Sequence, residues 1–163
     1  MSTVNAVSPA PATAPAPTTA GTRAVALNWW QASLFGAVTA TTINLAIWAA
    51  ATLAGASLTL LDGGEPYLID AGSVVFSSAL PMVAGIVLAA VISRWWPAVI
   101  RLAQVLGALA AVATLWSVFA YGVDAATITT LTLMHLVSGV VVVLALEGLR
   151  RHTRRQPAQQ PAT

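Results

Sequence analysis

The feature that most constrains this chain is its last apolar run, residues 126–149, which is followed directly by Arg150 and Arg151. A transmembrane helix needs about 20 mostly apolar residues, and this run is long enough to supply them. Its one ionisable side chain away from the ends is His135, near the centre. An ionisable group within hydrocarbon is costly unless it faces the interior of a bundle. We therefore expect other helices to surround this run and to present polar groups to His135.

The composition points to the bilayer as the solvent of this chain. Only 7% of its residues are charged and 58% are hydrophobic, whereas soluble domains carry about 25% charged residues. The absence of cysteine excludes a disulfide framework, a thiolate metal site and a cysteine nucleophile. The arginines adjoin apolar runs instead of forming a basic stripe, which argues against nucleic-acid binding. The chain is therefore predicted to be an integral membrane protein.

Four runs are long and apolar enough to span a bilayer, and they predict an all-α membrane protein. A paired Trp29 and Trp30 before the first run is typical of the membrane interface. Short connections between the runs predict an up-down-up-down four-helix bundle in which the first and last helices are adjacent. Pro81 lies inside the second run and cannot donate to the Ser77 carbonyl, which predicts a kink. The predicted spans are 32–54, 73–93, 102–121 and 126–149, within a membrane domain of residues 29–149.

The segments outside this domain have different compositions. Residues 1–28 are rich in Pro, Ala and Thr, have little to bury, and are predicted to be a disordered tail. Residues 150–163 are predicted to be a disordered basic tail. In the first loop, residues 57–61 and 66–69 flank a Gly-Gly turn, so a short hairpin on the membrane surface is possible.

The distribution of charge predicts the orientation. In a four-span arrangement every arginine falls on one side, and four of the five acids fall on the other. The positive-inside rule then predicts that both termini are in the cytoplasm and that the 55–72 loop is outside. The arginines at this face would also attract anionic lipid headgroups. Those within or beside the membrane domain are Arg94, Arg101, Arg150, Arg151, Arg154 and Arg155.

The outer loop carries three acids, Asp62, Glu65 and Asp70. Carboxylates on a glycine-containing loop have the chemistry that a hard cation prefers. Their spacing matches no calcium loop, so we interpret them as solvated and predict no metal site.

Polar side chains in the four spans are predicted to meet in one layer just outside the midplane. We expect His135 to form a hydrogen bond with Asn44, with serines and threonines completing the layer. Interhelical hydrogen bonds of this kind commonly serve packing alone. The other expected members are Ser77, Ser78, Thr114, Thr132 and Ser138.

Each span also offers small or polar residues at i, i+4 spacing, which allow helices to approach closely. These stripes are Gly36/Ala40/Asn44, Pro81/Gly85/Ala89, Ala103/Gly107/Ala111 and His135/Gly139. They predict helix packing within the bundle.

Around Met134-His135-Leu136-Val137-Ser138-Gly139 the last span resembles a family of small actinobacterial four-span membrane proteins of unknown function. Those proteins share a short Met-His-Leu stretch in the last helix and a polar loop after the first. The resemblance covers residues 29–150 and implies an integral plasma-membrane protein, without implying an activity.

Two functions are compatible with these features. The first is a non-enzymatic accessory or interaction protein that contacts lipid, another membrane protein or a second copy of itself. The second is a small transporter or channel-like unit that uses the polar layer around His135. The apolar inner half of the last span favours the first, because an ion path needs polar groups throughout. A bis-His haem site would need a second membrane His from another copy, so no cofactor is predicted. The sequence shows no Gly-rich phosphate loop, catalytic triad or zinc-ligand spacing, so no enzyme activity is predicted.

Overall fold

The computed structural model describes residues 25–62, 64–120 and 123–155, with side chains for all of these except 62 and 117–120. The described chain forms four long helices and one hairpin. Each helix is long and apolar enough to cross a membrane, which confirms the predicted all-α four-span fold. The order is α1 (Trp29–Leu53), β1 (Thr59–Asp62), β2 (Glu65–Leu68), α2 (Ala71–Ile92), α3 (Val99–Ala120) and α4 (Ala125–Arg155).

The starts of α1 and α2 are fixed by capping boxes, in which the N-cap and N3 residues satisfy each other's backbone N–H groups. The Asn28 side chain accepts a hydrogen bond from the Gln31 backbone N–H at 3.0 Å, and the Gln31 side chain accepts one from Asn28 at 3.1 Å. At α2, Asp70 accepts from the Ser73 backbone N–H at 2.7 Å. The Ser73 hydrogen bonds hold the pKa of Asp70 below its usual value, because they favour the carboxylate.

The helices alternate in direction, and α1 packs beside α4 as predicted. At one end, which we call the arginine end, the Leu27 backbone N–H donates to the Gly148 carbonyl at 3.0 Å. At the other end, which we call the hairpin end, the Leu58 backbone N–H donates to Thr127 Oγ1 at 3.0 Å. The segment before α1 therefore lies beside the end of α4, and the hairpin lies beside its start.

Two apolar clusters hold the bundle together, and α3 takes part in only one of them. The cluster at the arginine end joins all four helices and includes Ile86, Ile100 and Leu146, each 1% exposed or less. The cluster at the hairpin end is built from Leu58, Ile69, Val74, Leu131 and Met134, with partners from α1. Towards the hairpin end, the described part of α3 therefore packs on α4 without entering the core.

Small residues allow close helix contacts in α1, α3 and α4, as predicted. A Cβ added at Gly36 would lie 3.0 Å from both Met82 and Ile86 of α2. A Cβ at Gly139 would lie 2.9 Å from the Ala111 Cβ on α3. The stripe on α2 is different: a Cβ at Gly85 would meet no atom within 4 Å. Gly85 faces open space, so the expectation that it packs against a neighbouring helix is wrong.

The possible hairpin of the first loop is present. Strands β1 and β2 pair antiparallel with Leu60 opposite Tyr67 and Asp62 opposite Glu65. Gly64 in the turn has φ +94°, a left-handed conformation that glycine adopts without steric cost. A two-stranded hairpin is marginal alone, and this one is anchored to the helices at both of its ends. Trp48 Nε1 of α1 donates to the Ile69 carbonyl at 2.9 Å, and the Leu58 backbone N–H donates to Thr127 Oγ1 of α4 at 3.0 Å.

The main difference from the predicted boundaries is at the end of α4. The helix continues to Arg155, so residues 150–155 of the predicted disordered tail are helical. Basic side chains in a last turn interact favourably with the helix dipole, and Glu147 pairs with Arg150 and Arg151 along the helix surface. Helix α2 remains continuous through Pro81. Residues 1–24, 63, 121–122 and 156–163 lie outside the described residues, and with them most of the predicted N-terminal tail, the rest of the C-terminal tail and the end of the third predicted span. Residues 25–28 of the predicted N-terminal tail are described, and there Leu27 bonds to Gly148 and Asn28 caps α1.

Candidate functional site

Helices α2 and α3 are neighbours in sequence but contact each other sparsely, and a cavity of about 1300 Å³ lies between them. Helix α4 forms its floor, and Asn44 is the residue that α1 contributes to the wall. Leu60 and Tyr67 of the hairpin line one end, and Trp96 lines the other. Along α2 the wall runs from Gly72 to Ile92, which corresponds to about 30 Å of helix, the thickness of a bilayer core.

The cavity wall is apolar along the helices towards the arginine end, and its polar side chains lie at the hairpin end and at one level of the spans. From Met82 to Ile92 on α2, and from Gly139 to Leu146 on α4, the lining residues carry no polar side chain. Apart from Ser73 in the first turn of α2, the polar lining residues within the spans are Asn44, Ser77, Ser78, Thr114, His135 and Ser138. The predicted polar layer therefore lies in the wall of this cavity, with the exception of Thr132.

Asn44 is the centre of an interhelical hydrogen-bond cluster. Its side chain is 3% exposed, and Nδ2 donates to Ser78 Oγ at 2.9 Å and to Ser138 Oγ at 3.1 Å. These two bonds connect α1 to α2 and to α4. The other amide atom, Oδ1, is buried and has no hydrogen-bond partner among the described residues.

His135 does not bond to Asn44, so the predicted hydrogen bond between them is wrong. Instead, Nδ1 lies 2.7 Å from the Leu131 carbonyl oxygen, one turn earlier on the same helix. A carbonyl oxygen can only accept, so Nδ1 carries the hydrogen, and in a neutral imidazole Nε2 is then an acceptor. The hydrogen bond along the helix satisfies one ring nitrogen locally. The rest of the half-buried ring lines the cavity.

The remaining members of the predicted layer bond within their own helices or lie elsewhere. Ser77 Oγ donates to the Val74 carbonyl at 3.4 Å, and Thr114 Oγ1 donates to the Ala111 carbonyl at 2.9 Å. Thr132 is absent from the cavity wall, and its Oγ1 is buried without a partner among the described residues. Hydroxyl groups in helices commonly bond back to their own turn, and sequence spacing does not reveal this choice.

A second polar cluster closes the hairpin end around Asp124, which precedes α4. Asp124 accepts hydrogen bonds from the Thr127 backbone N–H at 3.0 Å and from Thr127 Oγ1 at 2.7 Å. The Ser57 hydroxyl also donates to Asp124. These bonds stabilise the carboxylate and hold the pKa of Asp124 well below its usual value, with the Ser57 contact having the largest effect.

The three acids of the outer loop do not form a common site among the described side chains. Asp70 caps α2, Glu65 lies in β2, and the side chain of Asp62 is outside the described set. Within the part of the chain that the structure describes, no three His, Cys, Asp or Glu side chains come close enough to hold a metal ion.

The arginine end carries the basic side chains and one ion-pair cluster. Arg150 binds Glu147 through two N–O contacts of 2.7 and 2.8 Å, and Arg151 adds a third at 2.8 Å. Gln104 of α3 donates to the Val143 carbonyl of α4 at 3.2 Å. The guanidinium groups of Arg94, Arg101, Arg154 and Arg155 belong to exposed residues.

Sequence reasoning missed several residues that shape the cavity. Gln104 ties α3 to α4, and Trp48 Nε1 donates to the Ile69 carbonyl at 2.9 Å, which ties α1 to the strand before α2. Gly85 leaves the middle of the cavity open. A polar residue in an apolar run could have marked Gln104. Nothing in the sequence distinguishes a glycine that packs from one that borders a cavity.

Four membrane-spanning helices of alternating direction, with a hairpin at one end, define a multi-pass membrane protein. The sequence profile of one family matches residues 24–152, which is most of the chain. The chain belongs to this family, the Family of unknown function (DUF6069), as the resemblance to an uncharacterised family predicted. No curated protein and no solved structure matches the chain.

Proposed function

We propose that this protein is a non-enzymatic binding protein of the plasma membrane that holds a hydrophobic partner in the cavity between α2 and α3. The observation that carries the proposal is the separation of these two helices. Exposed side chains such as Phe76 and Leu106 stand at the cavity wall, 66% and 55% exposed. A cavity with such a rim, between helices that lie in a bilayer, is accessible from the lipid phase.

The lining supports binding better than conduction. Ligand pockets are mostly apolar, with a small number of polar groups that fix orientation. This cavity has that composition, since its polar side chains lie at the hairpin end and at one level of the spans, and the lining from Met82 to Ile92 on α2 is apolar. An ion or proton path would need polar or ionisable groups along its whole length.

The proposed orientation has the arginine end in the cytoplasm. The exposed arginines Arg94, Arg101, Arg154 and Arg155 all lie at this end, whereas Asp70 and Asp124 lie at the hairpin end. This asymmetry follows the positive-inside rule. Anionic headgroups of the inner leaflet are the proposed partners of these arginines, at about 1 kcal/mol for each arginine near the surface.

The test fills the cavity without disturbing the packed helix contacts. Gly85→Leu places a side chain where no atom lies within 4 Å of the new Cβ. Ala84→Leu, at the adjacent exposed position that does not line the cavity, is the matched control. Native mass spectrometry of protein released from its own membranes should detect a bound hydrophobic molecule in the wild type and the control. The filled variant should lack it. Equal retention in all three proteins would refute the proposal.

A small transporter that uses the polar layer is the second candidate, supported by the half-buried His135 in the cavity wall. Flux measurements in proteoliposomes would decide between the binding protein and the transporter. A proton or ion flux that disappears in His135→Ala would favour the transporter, and the absence of flux in the wild type would favour the binding protein.

We also propose that Met134-His135-Leu136 is a shared motif of the family, including actinobacterial members. Met134 and His135 line the cavity wall, which is a physical reason for other members of the family to carry the same residues. An alignment of members in which His135 is replaced freely would contradict this.

A further inference from the structure

The cavity wall contains polar atoms that accept hydrogen bonds but lack a donor. His135 Nδ1 is bound to the Leu131 carbonyl, so Nε2 of the neutral ring is an acceptor with no partner among the described residues. Asn44 Oδ1 is a second acceptor without a donor among the described residues; Asn44 is 3% exposed and belongs to the same wall, although Oδ1 itself is enclosed by protein atoms. An acceptor that faces an apolar cavity without a donor is unfavourable, so Nε2 of the half-buried His135 favours a ligand that supplies a donor.

No donor of the described wall is directed to Nε2 of His135. Both amide hydrogens of Asn44 are directed to Ser78 and Ser138, and the Ser77 hydroxyl hydrogen is directed to the Val74 carbonyl. The hydroxyl hydrogens of Ser78 and Ser138 can pair with an acceptor on a ligand, but an ether or a ketone has no hydrogen to donate to Nε2 of His135. Nε2 therefore favours a ligand that supplies a donor, and a hydroxyl group can both donate to Nε2 and accept from a serine.

From these contacts we propose that the cavity binds a hydrophobic molecule with a hydroxyl group, and that this hydroxyl donates to Nε2 of His135. Asn44 Oδ1 is the second acceptor in the wall. This inference rests on the proposed binding function and names the chemical class of its ligand. A hydroxyl fits better than an ammonium group, because a charge within the bilayer is costly without a counter-ion. Among the described lining residues the one carboxylate is Asp70, which caps α2 at the cavity end.

The depth of His135 sets the shape of this ligand. His135 lies ten residues from the start of α4 at Ala125, about 15 Å along the helix axis. From that level the apolar wall on α2 continues from Met82 to Ile92, which is about 15 Å further along the helix. The hydroxyl would lie near the middle of the bilayer, with the hydrocarbon chain directed towards Trp96 at the arginine end.

The experiment compares two photoreactive probes in nanodiscs of neutral phospholipid. One is a long-chain alcohol with a diazirine in its chain. The other is its methyl ether, in which a methyl group replaces the hydroxyl hydrogen. The wild type should be labelled by the alcohol about threefold to tenfold more efficiently than by the ether, the ratio that one net hydrogen bond supports. Peptide mapping should locate the label on α2 and α3.

Two substitutions assign the hydroxyl partner. His135→Phe keeps a ring in the wall but removes the acceptor, so alcohol labelling should fall to the level of the ether while ether labelling stays unchanged. A purely structural role would reduce both probes together, so unchanged ether labelling also shows that the variant is folded. Asn44→Leu should reduce the preference for the alcohol by a smaller factor, because Oδ1 is less accessible than the His135 ring.

Each remaining outcome has a definite meaning. Equal labelling of the wild type by both probes, with loss of both in Gly85→Leu, would overturn the hydroxyl inference and leave the binding function standing. Labelling that survives in Gly85→Leu would overturn both. A second copy of the chain is a different occupant that a Gly85→Cys variant can detect, because the chain has no native cysteine and any disulfide must form at that position. An oxidised dimer through that position would show a second copy in the cavity and would overturn the inference.

Discussion

The contact between α3 and α4 at Gly139 gives a stability prediction that can be worked from the structure. Adding a methyl group in Gly139→Ala places the new Cβ 2.9 Å from the Ala111 Cβ. Carbon atoms pack best at about 3.5–4.0 Å, so the two atoms must separate by about 0.6–1.1 Å. Neither methyl can rotate away, because each is fixed directly to a helix backbone. The helices must therefore move apart, and overpacking of this kind typically costs about 1–3 kcal/mol.

A favourable term opposes this cost, and a control at Gly85 isolates it. Replacing Gly by Ala inside a helix gains up to about 1 kcal/mol from helix propensity alone. Gly85→Ala obtains the same gain with no contact, since its Cβ would meet nothing within 4 Å. The difference between the two variants therefore measures the overpacking at Gly139. We expect Gly139→Ala to be less stable than Gly85→Ala by about 1–3 kcal/mol.

The assay is reversible unfolding in mixed micelles with increasing SDS, followed by the fluorescence of the native tryptophans, of which the chain has six. Ala111→Gly in the Gly139→Ala background removes the clashing methyl and should recover most of the loss. The double-mutant cycle should give a coupling energy of about 1–3 kcal/mol between the two positions. Equal stability of Gly139→Ala and Gly85→Ala, with no coupling to Ala111, would refute the close α3–α4 contact.

Three further predictions concern the polar clusters and the segment before α1. Asn44→Leu removes two interhelical hydrogen bonds, which average about 0.6 kcal/mol each in membrane proteins. It should therefore lower the free energy of unfolding by about 1 kcal/mol in the same SDS assay. An unchanged unfolding midpoint would show that the cluster does not stabilise the bundle. The depressed pKa of Asp124 contributes stability at pH values above the ordinary Asp pKa of about 3.9, and this contribution is lost as the pH falls further towards the folded-state pKa. Asp124→Asn should reduce that acid sensitivity in unfolding measured down to about pH 3, and a wild-type pH profile identical to that of the variant would contradict it. Gly148→Ala places a Cβ 2.8 Å from Leu27 Cδ1 and should displace residues 25–28. Hydrogen exchange at the Leu27 amide, which donates to the Gly148 carbonyl, should then be faster. Adding Leu27→Ala, which shortens the clashing side chain, should restore slow exchange.

Several elements of the fold could be predicted because they depend on local patterns. Uninterrupted apolar runs predict spans, since backbone groups in lipid must be satisfied within a helix. The Gly-Gly turn predicts the hairpin, and Glu147 three and four residues before two arginines predicts the ion pairs that are present. The end of α4 was harder to predict, because helix ends depend on weak terms such as the dipole and surface ion pairs.

The sequence predicted the depth of the polar residues in the membrane but not the hydrogen bonds between them. Polar residues at similar depth on different spans must lie in one layer, and most of them line one cavity. The choice of partners depends on rotation about each helix axis and on side-chain rotamers, which depth does not fix. His135 therefore bonds to its own helix, while Asn44 bonds to Ser78 and Ser138.

The sequence by itself determined that this chain crosses a membrane four times, with its arginines at one end and His135 within the last span. These properties follow from transfer of apolar residues into lipid, which is a sum over local segments. Only the tertiary structure decided that α2 and α3 separate while α1, α2 and α4 close around a shared core. The small residues Gly85 and Gly139 occur in similar sequence patterns, yet one borders a cavity and the other allows helix contact. In lipid the hydrophobic effect does not distinguish these arrangements, so the packing of neighbouring helices decides between them.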